Sequence, residues 1–166
     1  MLPLEVTSRL VTQVSLAEYT NHSLIIPRLR ATDTPGVIAE LSHVLQQNGC
    51  VPDVLPLYHA ALNKELTQST AQECGIAFPH ARLSAIKSLT FAIGCASRPI
   101  VWGGNGSPRI QIVFLIAVPA TDAANCLHLL ASMARLGQRP DIIERMLETR
   151  TASNILSLLS TIPVRH

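Results

Sequence analysis

Apolar residues recur every three or four positions in five stretches of the chain, the spacing that places side chains on one face of a helix. This spacing predicts helices over residues 34–48, 53–65, 121–136, 140–148 and 151–160. The ends of the third helix are indicated by Thr121, a residue type that caps helix N-termini, and by Gly137, a residue type that ends helices. Residues 1–20 contain only short apolar patches, and we expect them to form an irregular lead-in.

Three other apolar stretches are continuous and predict β-strands over residues 23–29, 87–96 and 110–118. Pro27 favours an edge position for the first strand, because proline cannot donate to a ladder of hydrogen bonds. An Asn-Gly pair at residues 105–106 lies between the other two strands and is typical of a hairpin. We therefore expect these two strands to be antiparallel, with the second almost fully buried.

The order of these elements predicts an α/β fold, in which a mixed β-sheet is flanked by helices on both faces. No repeat, low-complexity tract or linker interrupts the 166 residues. We therefore predict one domain over residues 1–166, a length that can bury an adequate core.

Composition and charge exclude several classes of protein. Apolar residues make up 48% of the chain and charged residues 14%, which argues against disorder. The net charge is +2 and the basic residues are scattered, so a nucleic-acid partner is not expected. The longest apolar run, residues 110–120, is too short for a membrane helix, and residues 1–9 do not resemble a signal peptide. We expect a cytoplasmic protein without direct membrane insertion.

The strongest chemical signal lies in residues 75–82, which read GIAFPHAR. Pro79 has a fixed φ and restricts its neighbour, so we expect His80 to project from a stiff turn. A neutral imidazole is a competent nucleophile near neutral pH, and the guanidinium of Arg82 is a natural partner for phosphate oxygens. The combination indicates a histidine that carries a phosphoryl group. The alternative is a loop histidine that makes one hydrogen bond.

Residues 75–80 resemble the active-site signature of the enzyme IIA domains of the phosphoenolpyruvate-dependent sugar phosphotransferase system, fructose/mannitol class. Residues 64–70 (KELTQST) resemble the Arg-Glu-x-Leu-x-Ser-Thr segment of the same family, with Lys64 in place of arginine and Thr67 in place of leucine. Lys64 precedes His80 by sixteen positions, the spacing that the family uses. Residues 112–119 and 128–136 resemble the last core strand and the second-histidine helix of the family. The resemblance runs from about Ser23 to the end of the chain.

The resemblance implies that His80 accepts a phosphoryl group on Nε2 from phospho-HPr and passes it to an enzyme IIB. This interpretation needs no cofactor, and no metal site is expected because His22, His43 and His59 lie at no ligand spacing with cysteine or carboxylates.

The resemblance also implies that His128 is the second active-site histidine, beside His80. The alternative for His128 is a histidine satisfied within an apolar helix. Lys64 and Arg82 are expected to supply positive charge for the phosphoryl group, whereas the alternative for Lys64 is a cation at a helix end. Phe78 and the helix over residues 121–136 are expected to form an apolar rim for partner proteins.

Two other functions remain open at the level of sequence. The first is a regulatory protein similar to the nitrogen-related enzyme IIA proteins, which would still be phosphorylated on His80 but would act by binding partners. The second is a relative of the same fold that binds partners and has lost phosphoryl transfer.

Overall fold

The computed structural model describes residues 14–104 and 106–165. In this part of the chain the α-helices are α1 (Thr34–Gln47), α2 (Val54–Thr67), α3 (Ala123–Leu136), α4 (Pro140–Glu148) and α5 (Ala152–Leu159). The strands are β1 (Val14–Ser15), β2 (Ile25–Ile26), β3 (Ile76–Ala77), β4 (His80–Leu83), β5 (Thr90–Val101), β6 (Arg109–Pro119) and β7 (Pro163–Val164). Two short 3-10 helices precede β2, at Leu16–Tyr19 and His22–Leu24.

The main sheet is mixed and is organised around β6. One edge of β6 pairs antiparallel with β5, and β5 in turn pairs parallel with β2. The other edge of β6 pairs parallel with β3 and then with β4, which follow one another along it. The mixed sheet and the antiparallel β5–β6 pair are confirmed, and β2 is an edge strand of the described sheet as Pro27 predicts.

The sheet separates two hydrophobic cores, because alternate residues of β6 point to opposite faces. Phe114 and Ile116 lie in the core that α3, α4 and α5 cover. Leu115 and Ala117 lie in the core that α1 and α2 cover. β6 is almost fully buried on both faces, as its apolar sequence indicates, and the prediction of helices on both faces is confirmed.

The predicted helices are present with small shifts at their ends. The Pro140–Glu148 helix has the predicted bounds. Helix α1 begins at residue 34 as predicted and is capped by Asp33, whose carboxylate accepts a hydrogen bond from Gly36 N at 2.8 Å. Asn105 of the predicted hairpin turn lies outside the described residues.

The sequence pattern did not indicate three of the short strands. β1 and β7 form a separate antiparallel pair that brings the two ends of the described chain together. β4 is the third, and it begins at His80. The predicted irregular lead-in lies partly outside the described residues, but from Val14 onward it contains β1 and a 3-10 helix in which Leu16 is fully buried.

Candidate active site

His80 lies at a fixed point of the backbone, because the residues on both sides of it are held by β6. Ile116 N donates a hydrogen bond to Pro79 O at 3.0 Å, and β4 then continues parallel to β6 from His80 onward. Upstream, Gly75 adopts a φ of 93°, a conformation that favours glycine, and its carbonyl accepts from both Gln111 N and Ile112 N. His80 is therefore the first residue of a strand, which differs from the predicted turn position.

Both ring nitrogens of His80 have partners. Nδ1 lies 2.8 Å from Phe78 O, and Nε2 lies 2.9 Å from the Nζ atom of Lys64. A carbonyl oxygen only accepts and an ammonium group only donates. The two contacts together therefore require the neutral tautomer with the proton on Nδ1, which leaves the lone pair of Nε2 directed at Lys64.

His80 and Lys64 line a cavity of about 480 Å³. Its lining residues are Ala60, Lys64, His80, Ala81, Arg82, Val118, Ala123, Cys126, Leu127 and Leu130. Two of these side chains are cationic, and none of the described residues on the wall is acidic. The cavity therefore offers positive charge and an uncharged imidazole to an anionic group.

The surroundings of His80 favour the neutral imidazole. Burial lowers the pKa of His80 below its ordinary value of 6.5, and the nearby charge of Lys64 lowers it further. The hydrogen bond to Phe78 O and the charge of Glu65 act in the opposite direction without reversing the change. A neutral imidazole with an available lone pair is the form that attacks phosphorus.

The face of α3 that reaches the cavity is set by the helical period. Ala123, Cys126, Leu127 and Leu130 follow one another at spacings of three, one and three residues, so they share one face. His128 lies two residues beyond Cys126, about 200° around the helix at 100° per residue, and it does not line the cavity. It is half-buried, and its carbonyl accepts from Ser132 Oγ at 3.0 Å.

Three of the four predicted site residues are thus brought together, namely His80, Lys64 and Arg82. His128 is not among the residues that line the cavity, and Cys126 lies on the wall instead. Cys126 lies one helical turn before Leu130, so the two side chains share a face of α3. Burial raises the pKa of the Cys126 thiol, so the wall near His80 carries no thiolate near neutral pH.

Two other expectations have clear outcomes. Phe78 packs into the core with 5% of its surface exposed, so its predicted place on an apolar rim is wrong. An exposed apolar side chain does occur at the cavity, but it is that of Leu127 on α3. Next to the cavity, Thr70 Oγ1 accepts a hydrogen bond from Phe78 N at 2.8 Å.

The family model of the "Phosphoenolpyruvate-dependent sugar phosphotransferase system, EIIA 2" matches residues 18–162. The chain belongs to this EIIA family. A related protein, the fructose-specific EIIABC component from Bacillus subtilis, is 28% identical over 143 residues, which cover 85% of this chain and 22% of that protein. The chain therefore spans about a fifth of the length of this EIIABC relative.

Two further comparisons concern a regulatory protein and a solved structure. A nitrogen regulatory protein from Bradyrhizobium diazoefficiens is 29% identical over 107 residues, covering 64% of this chain and 70% of that protein. Among solved structures, enzyme IIAMTL in complex with phosphorylated enzyme IIBMTL from Escherichia coli has a TM-score of 0.72 at 18% identity, over 84% of this chain and 96% of that one. This similarity confirms that the chain has the fold of the mannitol IIA proteins.

Two kinds of feature are absent from the described residues of this EIIA. None of the helices there is both long and apolar enough to cross a membrane. Likewise, no group of three or more histidine, cysteine or acidic side chains in residues 14–104 and 106–165 is arranged to hold a metal ion.

Proposed function

We propose that the protein is a phosphoryl carrier of the sugar phosphotransferase system and that Nε2 of His80 carries the phosphoryl group. The proposed carrier acts in the cytoplasm, accepts the group from a phosphorylated HPr-type protein and passes it to an enzyme IIB. The single observation that carries the proposal is the pair of contacts on the His80 ring, Nδ1 with Phe78 O and Nε2 with Lys64 Nζ.

The pair of contacts supports this function because it selects one nucleophilic atom. The Phe78 carbonyl holds the proton on Nδ1, so the lone pair lies on Nε2, beside the cavity. In the transfer step this lone pair forms a bond to phosphorus while the bond between phosphorus and the nitrogen of the donor breaks. The donor nitrogen keeps the bonding electron pair, and the Nδ1 proton of His80 stays on its ring beside Phe78 O.

Lys64 has to move when the phosphoryl group arrives. Its ammonium occupies the direction along which the new N–P bond must form, at 2.9 Å from Nε2. The lysine must therefore swing aside, and its flexible stem allows the ammonium to move from Nε2 to a phosphoryl oxygen. Arg82 on the same cavity can contact another oxygen. Stabilisation of charge on these oxygens is the main catalytic requirement of phosphoryl transfer.

The proposed acceptor is suggested by the relatives. One of them, the IIAMTL protein, forms a complex with phosphorylated IIBMTL, and another relative combines EIIA with EIIB and EIIC in one component. The uncharged side chain of Leu127, 67% exposed at the cavity, suits a contact that forms and dissociates during each transfer.

The regulatory function is a second candidate, supported by the 29% identity with a nitrogen regulatory protein. In this case His80 would still be phosphorylated, and the phosphorylated state would determine which proteins bind. The two functions share the donor reaction and differ in the fate of the phosphoryl group afterwards.

The test begins with labelling by radioactive phosphoenolpyruvate, enzyme I and HPr. We expect the unmodified protein to take one acid-labile phosphoryl group and His80→Gln to take none. His43→Gln is the matched control, because His43 is an exposed histidine on α1. Stoichiometric labelling of His80→Gln would overturn the assignment of His80. A lack of labelling in the unmodified protein would favour the relative that only binds partners.

A second measurement separates transport from regulation. The labelled protein is mixed with purified enzyme IIB proteins, and loss of label to one of them supports the carrier function. Retention of the label with every enzyme IIB, together with a binding partner whose affinity depends on phosphorylation, would favour the regulatory function.

A further inference from the structure

Glu65 is a buried carboxylate next to the site, and only 2% of its surface is exposed. It follows Lys64 in the last turn of α2, but its side chain points into the protein. Among the described residues no lysine, arginine or histidine forms an ion pair with it. A carboxylate removed from water without a cation is costly unless hydrogen-bond donors surround it.

Neutral donors surround the Glu65 carboxylate. Thr70 N lies 2.8 Å from Oε1, and Thr70 Oγ1 lies 2.9 Å from Oε1 and 3.0 Å from Oε2. The indole Nε1 of Trp102 donates to Oε1 at 2.9 Å, and Trp102 is fully buried. Ser69 Oγ is a more distant donor at 3.4 Å. These donors fix the carboxylate between the loop after α2 and the end of β5.

Thr70 links this carboxylate to the catalytic histidine. Its hydroxyl proton is donated to Glu65, so the hydroxyl oxygen is left to accept the hydrogen bond from Phe78 N at 2.8 Å. The carbonyl of the same Phe78 accepts the Nδ1 proton of His80. Phe78 is thus held at its N–H group by Thr70, while its C=O group holds the imidazole.

We propose that Glu65, acting through Thr70 and the backbone of Phe78, is a positioning residue that holds the His80 ring with Nε2 directed at the incoming phosphoryl group. The proposal rests on the proposed function, because its benefit is the alignment of the nucleophile. Glu65 does not touch the reacting atoms. Its buried negative charge also lies on the Nδ1 side of the chain of hydrogen bonds, where the ring becomes positive as the N–P bond forms.

The hydrogen-bond directions at Thr70 depend on a carboxylate at position 65. A carboxylate only accepts, and it therefore obliges the Thr70 hydroxyl to donate to it and to turn a lone pair to Phe78. A neutral amide at position 65 can donate as well as accept, so it does not impose this direction. In-line transfer depends on placement, and a misplacement of about 1 Å can cost up to about 100-fold in rate.

Two substitutions of Thr70 test the link. Thr70→Val keeps the shape of the side chain but removes the hydroxyl, and Thr70→Ser keeps the hydroxyl. We expect Thr70→Val to lower kcat for transfer from phospho-HPr by about 10- to 100-fold with little change in KM. Thr70→Ser, which keeps the hydroxyl, should retain most of the original kcat. Circular dichroism melts on both proteins show that the comparison is made on folded chains.

Glu65→Gln tests the carboxylate itself, with Glu40→Gln as the matched control. Glu40 also accepts from loop amides, Arg30 N at 3.0 Å and Ala31 N at 2.9 Å, and it does not line the cavity. We expect Glu65→Gln to lower kcat as Thr70→Val does, and Glu40→Gln to leave kcat unchanged.

The second readout requires no phosphoryl donor. Long-range ¹⁵N–¹H spectra show which ring nitrogen of His80 is protonated, once its signals are assigned by comparison with His80→Gln. We expect a protected Nδ1–H in the unmodified protein and in Thr70→Ser, and a proton that exchanges rapidly with water in Thr70→Val and Glu65→Gln.

The proposal is overturned if folded Thr70→Val and Glu65→Gln keep both the protected Nδ1–H and the original kcat. It is also overturned if both lose activity only through a higher KM. Failure of the proposed function would look different, since the unmodified protein would then take no label while the Nδ1–H signal still depended on Thr70.

Discussion

At the scale of single residues, the site is defined by what each side chain can donate or accept. The Phe78 carbonyl and the Lys64 ammonium leave His80 a single tautomer, and burial keeps it neutral. The sequence indicated His80, Lys64 and Arg82 because short motifs and their spacing are local properties. It did not indicate Glu65, since the burial of a carboxylate depends on Trp102, which lies 37 positions away.

The lowered pKa of His80 has a measurable consequence. Because burial disfavours the proton in the folded state, we expect His80 to titrate below pH 6.5 in an NMR titration of the ring. The unfolded chain binds this proton more readily, so the free energy of unfolding decreases as the pH falls from 6.5 through the lowered pKa. Lys64→Met removes a charge that lowers the pKa, and the titration should move to higher pH. Lys87→Met, an exposed control, should leave it in place.

The charge and the geometry of Lys64 can be tested separately. Lys64→Met removes the cation that meets Nε2, and we expect phosphoryl transfer from phospho-HPr to slow about 100-fold or more. Lys64→Arg keeps the charge and adds a bidentate fork, so transfer should be preserved or improved. Rapid-quench labelling measures both rates. Undiminished transfer in Lys64→Met would assign the stabilising charge to Arg82.

At the scale of elements, the sequence predicts where the helices lie more accurately than it predicts which side chains face the cavity. Helix α4 has the predicted bounds, because proline starts it and its apolar residues are regularly spaced. The assignment of His128 rested on likeness to a family segment, and only the phase of α3 against the sheet shows that Cys126 faces the cavity. Strand β4 was missed for a similar reason, since its four residues become a strand by pairing with β6.

Helix α3 also supplies the apolar side chain at the mouth of the cavity. Leu127→Gln removes this contact with little change in helix propensity. If partners dock over the cavity, we expect the KM for phospho-HPr to rise by about fivefold, which corresponds to about 1 kcal/mol, with an unchanged melting temperature. Leu55→Gln is the control, because Leu55 is 63% exposed and lies on α2, nine residues before Lys64. An equal effect of both substitutions would argue against docking at Leu127.

At the scale of the whole molecule, the main sheet lies between two hydrophobic cores, and the segment that contains β2 covers the edge of β5. The sequence predicts this layered α/β arrangement because buried strands and amphipathic helices require it. It does not predict the β1–β7 pair, whose strands of two residues carry no periodic signal. Leu29 N donates to Cys95 O at 2.8 Å, and the Leu29 side chain covers Gly94 of β5.

The close approach at Gly94 makes the closure of this edge testable. A methyl group there would overlap the end of the Leu29 side chain, so we expect Gly94→Ala to lower the free energy of unfolding by about 1–3 kcal/mol. The melting temperature should fall by about 2–4 °C for each kcal/mol. Gly104→Ala is the control, because a methyl group on Gly104 would have no neighbouring atom within 4 Å. A Gly94→Ala protein as stable as this control would show that the Leu29 side chain can move aside without a loss of stability.

The β1–β7 pair also determines how the molecule would respond to a pulling force. Val14 faces Val164 and Ser15 faces Pro163, so the chain enters and leaves this pair on the same side. Tension applied between Val14 and Val164 would therefore break the hydrogen bonds of this pair one after another, and not all together as in shear. The next hydrogen bond along the chain runs from Leu16 N to Ile162 O, so the segment that holds the fully buried Leu16 would come under tension before the five-stranded sheet does.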